Sequence, residues 1–265
     1  MGRAVPPLAI EALIRAPRSR VWRAWTDPEE LAAWDPDRVD GQFVEGQQVT
    51  LHWDCFGASA DLEVLRCHPE EELQLRVTRT GGETQDLFIA LQAIGDEQTR
   101  IILRVEGTVG AAELEGTAAG WRTQLRVLAR FLSRPKESRT SFAAMGSALV
   151  TREQAYAAFV LPGWLSDEPL PLQEGQRFSM HTLDGNLLSG TILSLVPGHE
   201  IALWCEELGG VVRMRSIPLA DNRSRLLGLQ VLRWGAAPQA EAIEQSLRHS
   251  AERLISLLEG PRGQA

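Results

Sequence analysis

The side chains able to do chemistry in this chain are few and scattered. There are five histidines, three cysteines and a single lysine, Lys136, among 27 basic residues. Cys55, Cys67 and Cys205 lie far apart, and neither the Cys67-His68 pair nor Cys55 sits in a C-x-x-C or H-E-x-x-H spacing. A zinc site needs several such ligands converging, so no metal and no cofactor is expected. Lys136 falls in a polar connecting segment, which leaves Schiff-base chemistry without a candidate. There is no G-x-S-x-G elbow and no glycine-rich phosphate loop, and Ser147, in "MGSAL", has no His–Asp partnership that the sequence reveals.

Polar residues inside a pocket would be the remaining route to catalysis. Arg66 is expected to share the strand face of Leu62 and Val64, and Asp86 that of Phe88; either could snorkel out at a strand end. Glu70, Glu71 and Glu72 follow Pro69 at a turn and read as solvated. His52 and His181 occupy matching positions, but alternation places them opposite Leu51 and Met180, on the outside of their strands. No catalytic residue is expected.

The aromatic residues are more informative. "VWRAWTDPEELAAW", Val21 to Trp34, carries three of the eight tryptophans. Trp25 and Trp34 are expected to cap the core where two short helices meet, with Trp34 the candidate for lining a pocket entrance and Trp22 on the helix flank. Stacking on nucleic-acid bases is disfavoured by a net charge of −8 without any basic run.

These residues need elements to hold them. Leu8 to Ala16 reads as a strand. Val21, Trp22 and Trp25 share helical spacing, predicting a helix from Arg18 to Thr26. Asp27, Pro28 and Glu30 read as N-cap, first helical position and capping box of a second helix. Strands are expected near 47–54, 60–67, 72–78, 84–93 and 100–106, with Val49, Leu51 and Trp53 on one face, and Leu73, Leu75 and Val77 repeating the alternation. A long helix from about Ala111 to Ser133 follows, with Trp121, Leu125, Leu128 and Leu132 as its apolar stripe.

The plan then recurs. "VEGQQVTLH" (Val44 to His52) matches "QEGQRFSMH" (Gln173 to His181), and "HPEEELQL" matches "VPGHEIAL" with Pro69 on Pro197. "RSRVWRAWT" aligns with "REQAYAAFV", placing Trp22 on Tyr156 and Trp25 on Phe159. Thr151 to Gln154 is a further capping box, and Ile243, Leu247, Leu254 and Leu258 form a second closing stripe. Duplication is the reading, with domains at 1–134 and 139–260 joined by the polar "RPKESR".

A strand, two short helices, a curved antiparallel sheet and a long C-terminal helix make an α+β helix-grip domain, here in tandem. The Val21–Trp34 segment and Gly120-Trp121 at the start of a leucine-rich helical stripe resemble the family named for activators of the heat-shock-protein-90 ATPase. That family belongs to the START-like (SRPBCC) superfamily. The second half resembles it weakly: it keeps "AYAAF" and "EGQ" but lacks Thr-Asp-Pro and the Gly-Trp pair, and reads as a degenerate copy.

The resemblance implies a cavity between the long helix and the concave sheet, used in the superfamily for apolar ligands. Trp34, Leu51, Trp53, Leu75, Leu103, Trp121 and Leu125 are the expected lining. The expected function is binding of a small hydrophobic or amphipathic molecule without catalysis. A cyclase or hydrolase using the same cavity, and a protein-interaction module with a chaperone partner, are the alternatives. The start "MGRAVPPLAI" lacks the apolar core of a signal peptide, and no run approaches the roughly eighteen apolar residues of a membrane helix. A cytoplasmic protein that neither inserts in membranes nor binds nucleic acid is expected.

Overall fold

The computed structural model describes residues 7–78, 84–107, 111–134, 139–160, 173–182, 184–218, 225–235 and 240–259. Lys136 and most of the connecting segment lie outside the described residues, as do the side chains of Ser147 and Leu258. The chain divides into two compact units, Met1–Lys136 and Glu137–Ala265.

In the first unit the order is β1 (Leu8–Ile14), α1 (Arg18–Thr26), α2 (Pro28–Ala32), β2 (Arg38–Asp40), β3 (Gln48–Trp53), β4 (Ala58–His68), β5 (Glu72–Thr78), β6 (Thr84–Ala93), β7 (Thr99–Gly107) and α3 (Ala111–Leu132). Seven antiparallel strands run in the order β1-β7-β6-β5-β4-β3-β2. β2 was not foreseen, because three residues are too few to show a period. It pairs Arg38 with His52 and Asp40 with Thr50.

Alternation sets one apolar face: Val49 and Leu51, Leu62 and Val64, Leu73 and Leu75, Leu87 and Ile89, Ile101 and Leu103 are all buried. The opposite face carries Thr50 bonded to Asp61 and a bidentate Arg76–Asp86 pair at 2.8 and 3.0 Å. This is the pattern of a sheet with one covered side. α3 buries Leu125 and Leu128 of the expected stripe, while Trp121 and Leu132 are half-buried. Its sealed surface extends to Thr123, Val127 and Phe131 as well, so more than the single stripe is covered.

Two local expectations are corrected. Asp27 does cap α2, its Oδ1 accepting from the N–H groups of Glu29 and Glu30, but Glu30 does not complete a capping box. The Asp27 N–H donates to the Arg23 carbonyl, and the buried Glu30 carboxylate pairs with Arg20, which also lies over the Phe131 ring. Arg66, expected on the face of Leu62 and Val64, is instead exposed and paired with Glu72. The cause is a β-bulge at Leu65: Val64 faces Leu75, yet Arg66 faces Gln74, so one extra residue reverses the alternation.

The second unit comprises β8 (Arg139–Ala148), α4 (Arg152–Val160), β9 (Arg177–His181), β10 (Leu187–Val196), β11 (Glu200–Cys205), β12 (Gly210–Pro218), β13 (Arg225–Trp234) and α5 (Ala240–Glu259). Its sheet order, β8-β13-β12-β11-β10-β9, repeats that of the first unit without a counterpart of β2 among the described residues. The capping box at Thr151 is present, with Gln154 N–H donating to Thr151 Oγ1 and Thr151 N–H to Gln154 Oε1. Phe178, Met180, Ile201, Leu203, Val212, Met214, Leu229 and Val231 pack with Ile243, Leu247 and Leu254 of α5.

The repeated "EGQ" has a structural reason. Gly46 and Gly175 adopt left-handed φ values of 82° and 79°, where glycine is favoured. Gly46 N–H donates to the Val64 carbonyl at 2.8 Å and Val64 N–H to the Gln47 carbonyl at 2.9 Å. Gly175 and Gln176 hold Ile192 in the same way, at 2.8 and 3.0 Å. Val64 and Ile192 each precede a bulge, at Leu65 and Leu193 respectively, so turn and bulge were duplicated as one device.

Candidate functional site

α1, the turn after α2 and the middle of α3 bring three tryptophans of the first unit into one cluster, and Trp53 of β3 joins it through Asp35. Trp25 meets Trp34 edge-on, with centroids 5.2 Å apart and planes at 77°, and lies 6.3 Å from Trp121. Such offset and edge contacts are the favoured aromatic arrangements. Trp34 is fully buried, and its Nε1–H donates to the Ala24 carbonyl at 2.7 Å, which pins the end of α2 against α1. Trp53, at the end of β3, directs Nε1–H to Asp35 Oδ1 at 3.5 Å, and the Gln124 amide nitrogen on α3 donates to the same oxygen. Asp35 thereby ties the sheet to the helix.

Two atoms in this cluster lack a protein partner. The Nε1–H of Trp25 is inaccessible to solvent and donates to nothing, and Gln124 Oε1 is inaccessible and accepts from nothing. A buried polar group left in this state costs about 1–3 kcal/mol. The amide orientation is fixed by chemistry: a carboxylate only accepts, so the Gln124 nitrogen must face Asp35 and its oxygen must face away. Trp53, Trp121, Asp35 and Gln124 are themselves half-buried.

Of the residues expected to line a pocket, Trp34, Trp53 and Trp121 meet in this cluster through Trp25 and Asp35. Leu51, Leu75 and Leu103 are buried on the apolar faces of β3, β5 and β7, and Leu125 is buried beside Gln124 on α3. Sequence reading missed Gln124, Asp35 and the buried Gln85. Gln85 faces inward in alternation with Leu87 and Ile89, where Asp86 had been considered. The signal for Gln124 was available, since it lies three residues after Trp121 on the same helix.

The groups with displaced acidity do not add catalytic machinery to this cluster. Arg38 holds the Asp40 carboxyl below its ordinary range by a direct hydrogen bond, helped by His52, and both acid and base are at the surface. Burial raises the Cys67 thiol, which donates to the Phe43 carbonyl at 3.1 Å. Burial likewise raises the Cys205 thiol far above its ordinary range. All three cysteines are free, and no group of metal-ligating side chains is found among the described residues. No helix among them is long and apolar enough to cross a membrane.

Both units are therefore helix-grip domains, each an antiparallel sheet closed by a long C-terminal helix. Residues 15–133 match the model of the family described as Activator of Hsp90 ATPase homolog 1-like protein. Similar solved structures include protein MLL2253 from Mesorhizobium loti, at 20% identity and a TM-score of 0.45, covering 49% of this chain and 99% of that one. DynU16, from the dynemicin biosynthetic locus, covers 96% of this chain and 97% of its own at 19% identity and a TM-score of 0.46. The di-domain ARO/CYC BexL from the BE-7585A biosynthetic pathway covers 97% and 100% at 13% identity and a TM-score of 0.45. No curated protein matches the chain.

Proposed function

We propose that the first unit binds a small hydrophobic or amphipathic molecule between α3 and the apolar face of its sheet, without catalysing a reaction on it. The observation that carries this reading is the pair of unsatisfied polar atoms, Trp25 Nε1 and Gln124 Oε1, in an otherwise aromatic and aliphatic surround. Small-molecule sites are mostly apolar with a few placed polar groups. Trp34, Leu51, Trp53, Leu75, Leu103, Trp121 and Leu125 form the proposed lining. Removal of apolar area from water would drive binding at about 25 cal/mol per Å², less the cost of ordering. Three free, widely spaced cysteines fit action in the reducing cytoplasm.

Native mass spectrometry of the purified chain, repeated after denaturation, tests the proposal. A small molecule released on unfolding is the expected result. A mass equal to the bare chain in both states overturns tight binding and turns the question to a protein partner, a chaperone included.

A further inference from the structure

We propose that Arg152 and His199 form an acid-released latch holding the start of α4 on the β10–β11 turn of the second unit, and that Arg18 and Glu70 are its acid-resistant counterpart in the first. The latch is independent of the binding role. Both units build the same turn. Glu71 N–H donates to the His68 carbonyl and His199 N–H to the Val196 carbonyl, each at 3.0 Å. The residue before each donor is left-handed, Glu70 at φ 61° and Gly198 at φ 79°. In both units the arginine that opens the neighbouring helix reaches this turn. Arg18, which aligns with Arg152, meets the Glu70 carboxylate at 3.6 Å. Arg152 lays its stem on Gly198, where a Cβ would stand 2.5 Å from its Cγ and 2.7 Å from its Cδ. Its guanidinium lies 3.2 Å from His199 Nε2.

The chemistry of that contact fixes a protonation state. A guanidinium only donates, so Nε2 accepts and the ring is neutral. An imidazolium carries N–H on both nitrogens and accepts on neither. A proton on His199 therefore replaces a hydrogen bond by two facing cations, at the positive end of the α4 dipole. His199 is 8% exposed, which leaves little water to separate them. The carboxylates on the elements around it are already committed to arginines. Glu153 on α4 pairs with Arg152 at 3.5 Å, and Glu200 on β11 is held by Arg213 and Arg215 of β12. In the first unit the same arginine meets a carboxylate, and such a pair keeps its charges over most of the range in which imidazole titrates.

Tyr156 reports on the latch. It is the chain's single tyrosine and lies one helical turn after Arg152. The test is an NMR titration of the full chain, with tyrosine and histidine rings labelled, from about pH 8 to about pH 5.5. The Tyr156 signals should shift in one step whose midpoint equals that of the His199 ring, identified as the histidine signal lost in His199→Gln. That substitution keeps an oxygen able to accept from Arg152 but does not titrate, so the Tyr156 step should vanish. Arg152→Met keeps the stem and removes the donors. There Tyr156 should begin the titration where the parent ends it. The Trp22 indole signal, one turn after Arg18 and identified by its loss in Trp22→Phe, should stay fixed.

Tyr156 signals that do not move, or that step at a midpoint other than that of His199, overturn the acid release. A step that persists in His199→Gln overturns the assignment to His199, whether or not Arg152→Met folds. A Trp22 signal that moves together with that of Tyr156 overturns the contrast between the units.

Discussion

The two sheets share strand order, turn and bulge, yet their outer faces obey different rules. In the first unit the face turned from the core carries Thr50, His52, Asp61, Arg76 and Asp86, held by surface hydrogen bonds and ion pairs. In the second unit the middle of the corresponding face, Glu200, Ala202, Trp204, Val211, Arg213, Gln230, Leu232 and Trp234, is buried, while Arg177, Ser179 and His181 on β9 stay exposed. Trp204 and Trp234 stack there with centroids 6.1 Å apart. The carboxylates after the matched prolines make the contrast sharp. Glu72 is half-buried and meets Arg66 at 3.3 Å. Glu200 is 1% exposed and takes the Arg213 guanidinium at 2.8 and 2.9 Å and Arg215 at 3.1 Å. The two units thus share a hydrogen-bonded framework, while the side chains in the middle of one face are solvated in the first and sealed in the second.

Substitution of these paired positions tests the contrast, with the largest effect expected at Glu200. Glu200→Gln takes the carboxylate from the buried Arg213 guanidinium, a change that costs about 3–5 kcal/mol. Urea unfolding of the full chain should show that loss in a transition reported by probes in the second unit. A loss below about 1 kcal/mol would mean the cluster is solvated, and the difference between the two faces would collapse.

The shared clasp should behave alike in both units. A Cβ at Gly46 or Gly175 meets no atom within 4 Å, so alanine there costs only the strain of the left-handed backbone. That is about 1–2 kcal/mol, equal in the two units to within experimental error. Markedly unequal losses by urea unfolding would show that the two turns carry different loads.

Glu72→Gln should change stability by less than about 1 kcal/mol, as for other surface pairs. Measured beside Glu200→Gln, it converts the comparison of faces into a difference of several-fold in one experiment.

The smallest effect is a titration. Because Arg38, through its hydrogen bond, and then His52 hold the Asp40 carboxyl below its ordinary range, the stabilising contribution is complete above that range and is lost as pH falls through the depressed midpoint. Carboxyl-carbon NMR should show the Asp40 midpoint moving up in Arg38→Gln. An unmoved midpoint would assign the depression to His52 alone.

Much of the first unit was legible because its sheet is covered on one side. Leu73, Leu75 and Val77 alternate with polar residues, and the strand they predict, Glu72–Thr78, is found with those bounds, as is the expected Thr84–Ala93. β11 in the second unit is buried at every position of "EIALWC", so its alternation is erased and the sequence offers no face to choose. The bulge at Leu65 was invisible for a related reason: an extra residue on one strand is defined only by its partner across the ladder.

The candidate site divides in the same way. Local chemistry along the chain determined the α1–α2 hairpin, with Asp27 as its cap and Pro28 at its first position. Only the tertiary structure decided which polar atoms remain unpaired. Asp35, Trp53 and Gln124 are separated by up to 89 residues, and the single carboxylate that gathers the last two fixes which end of the Gln124 amide is left without a partner. Satisfaction of a hydrogen bond is a property of three-dimensional neighbours, whereas caps and periods are properties of residues a few steps apart.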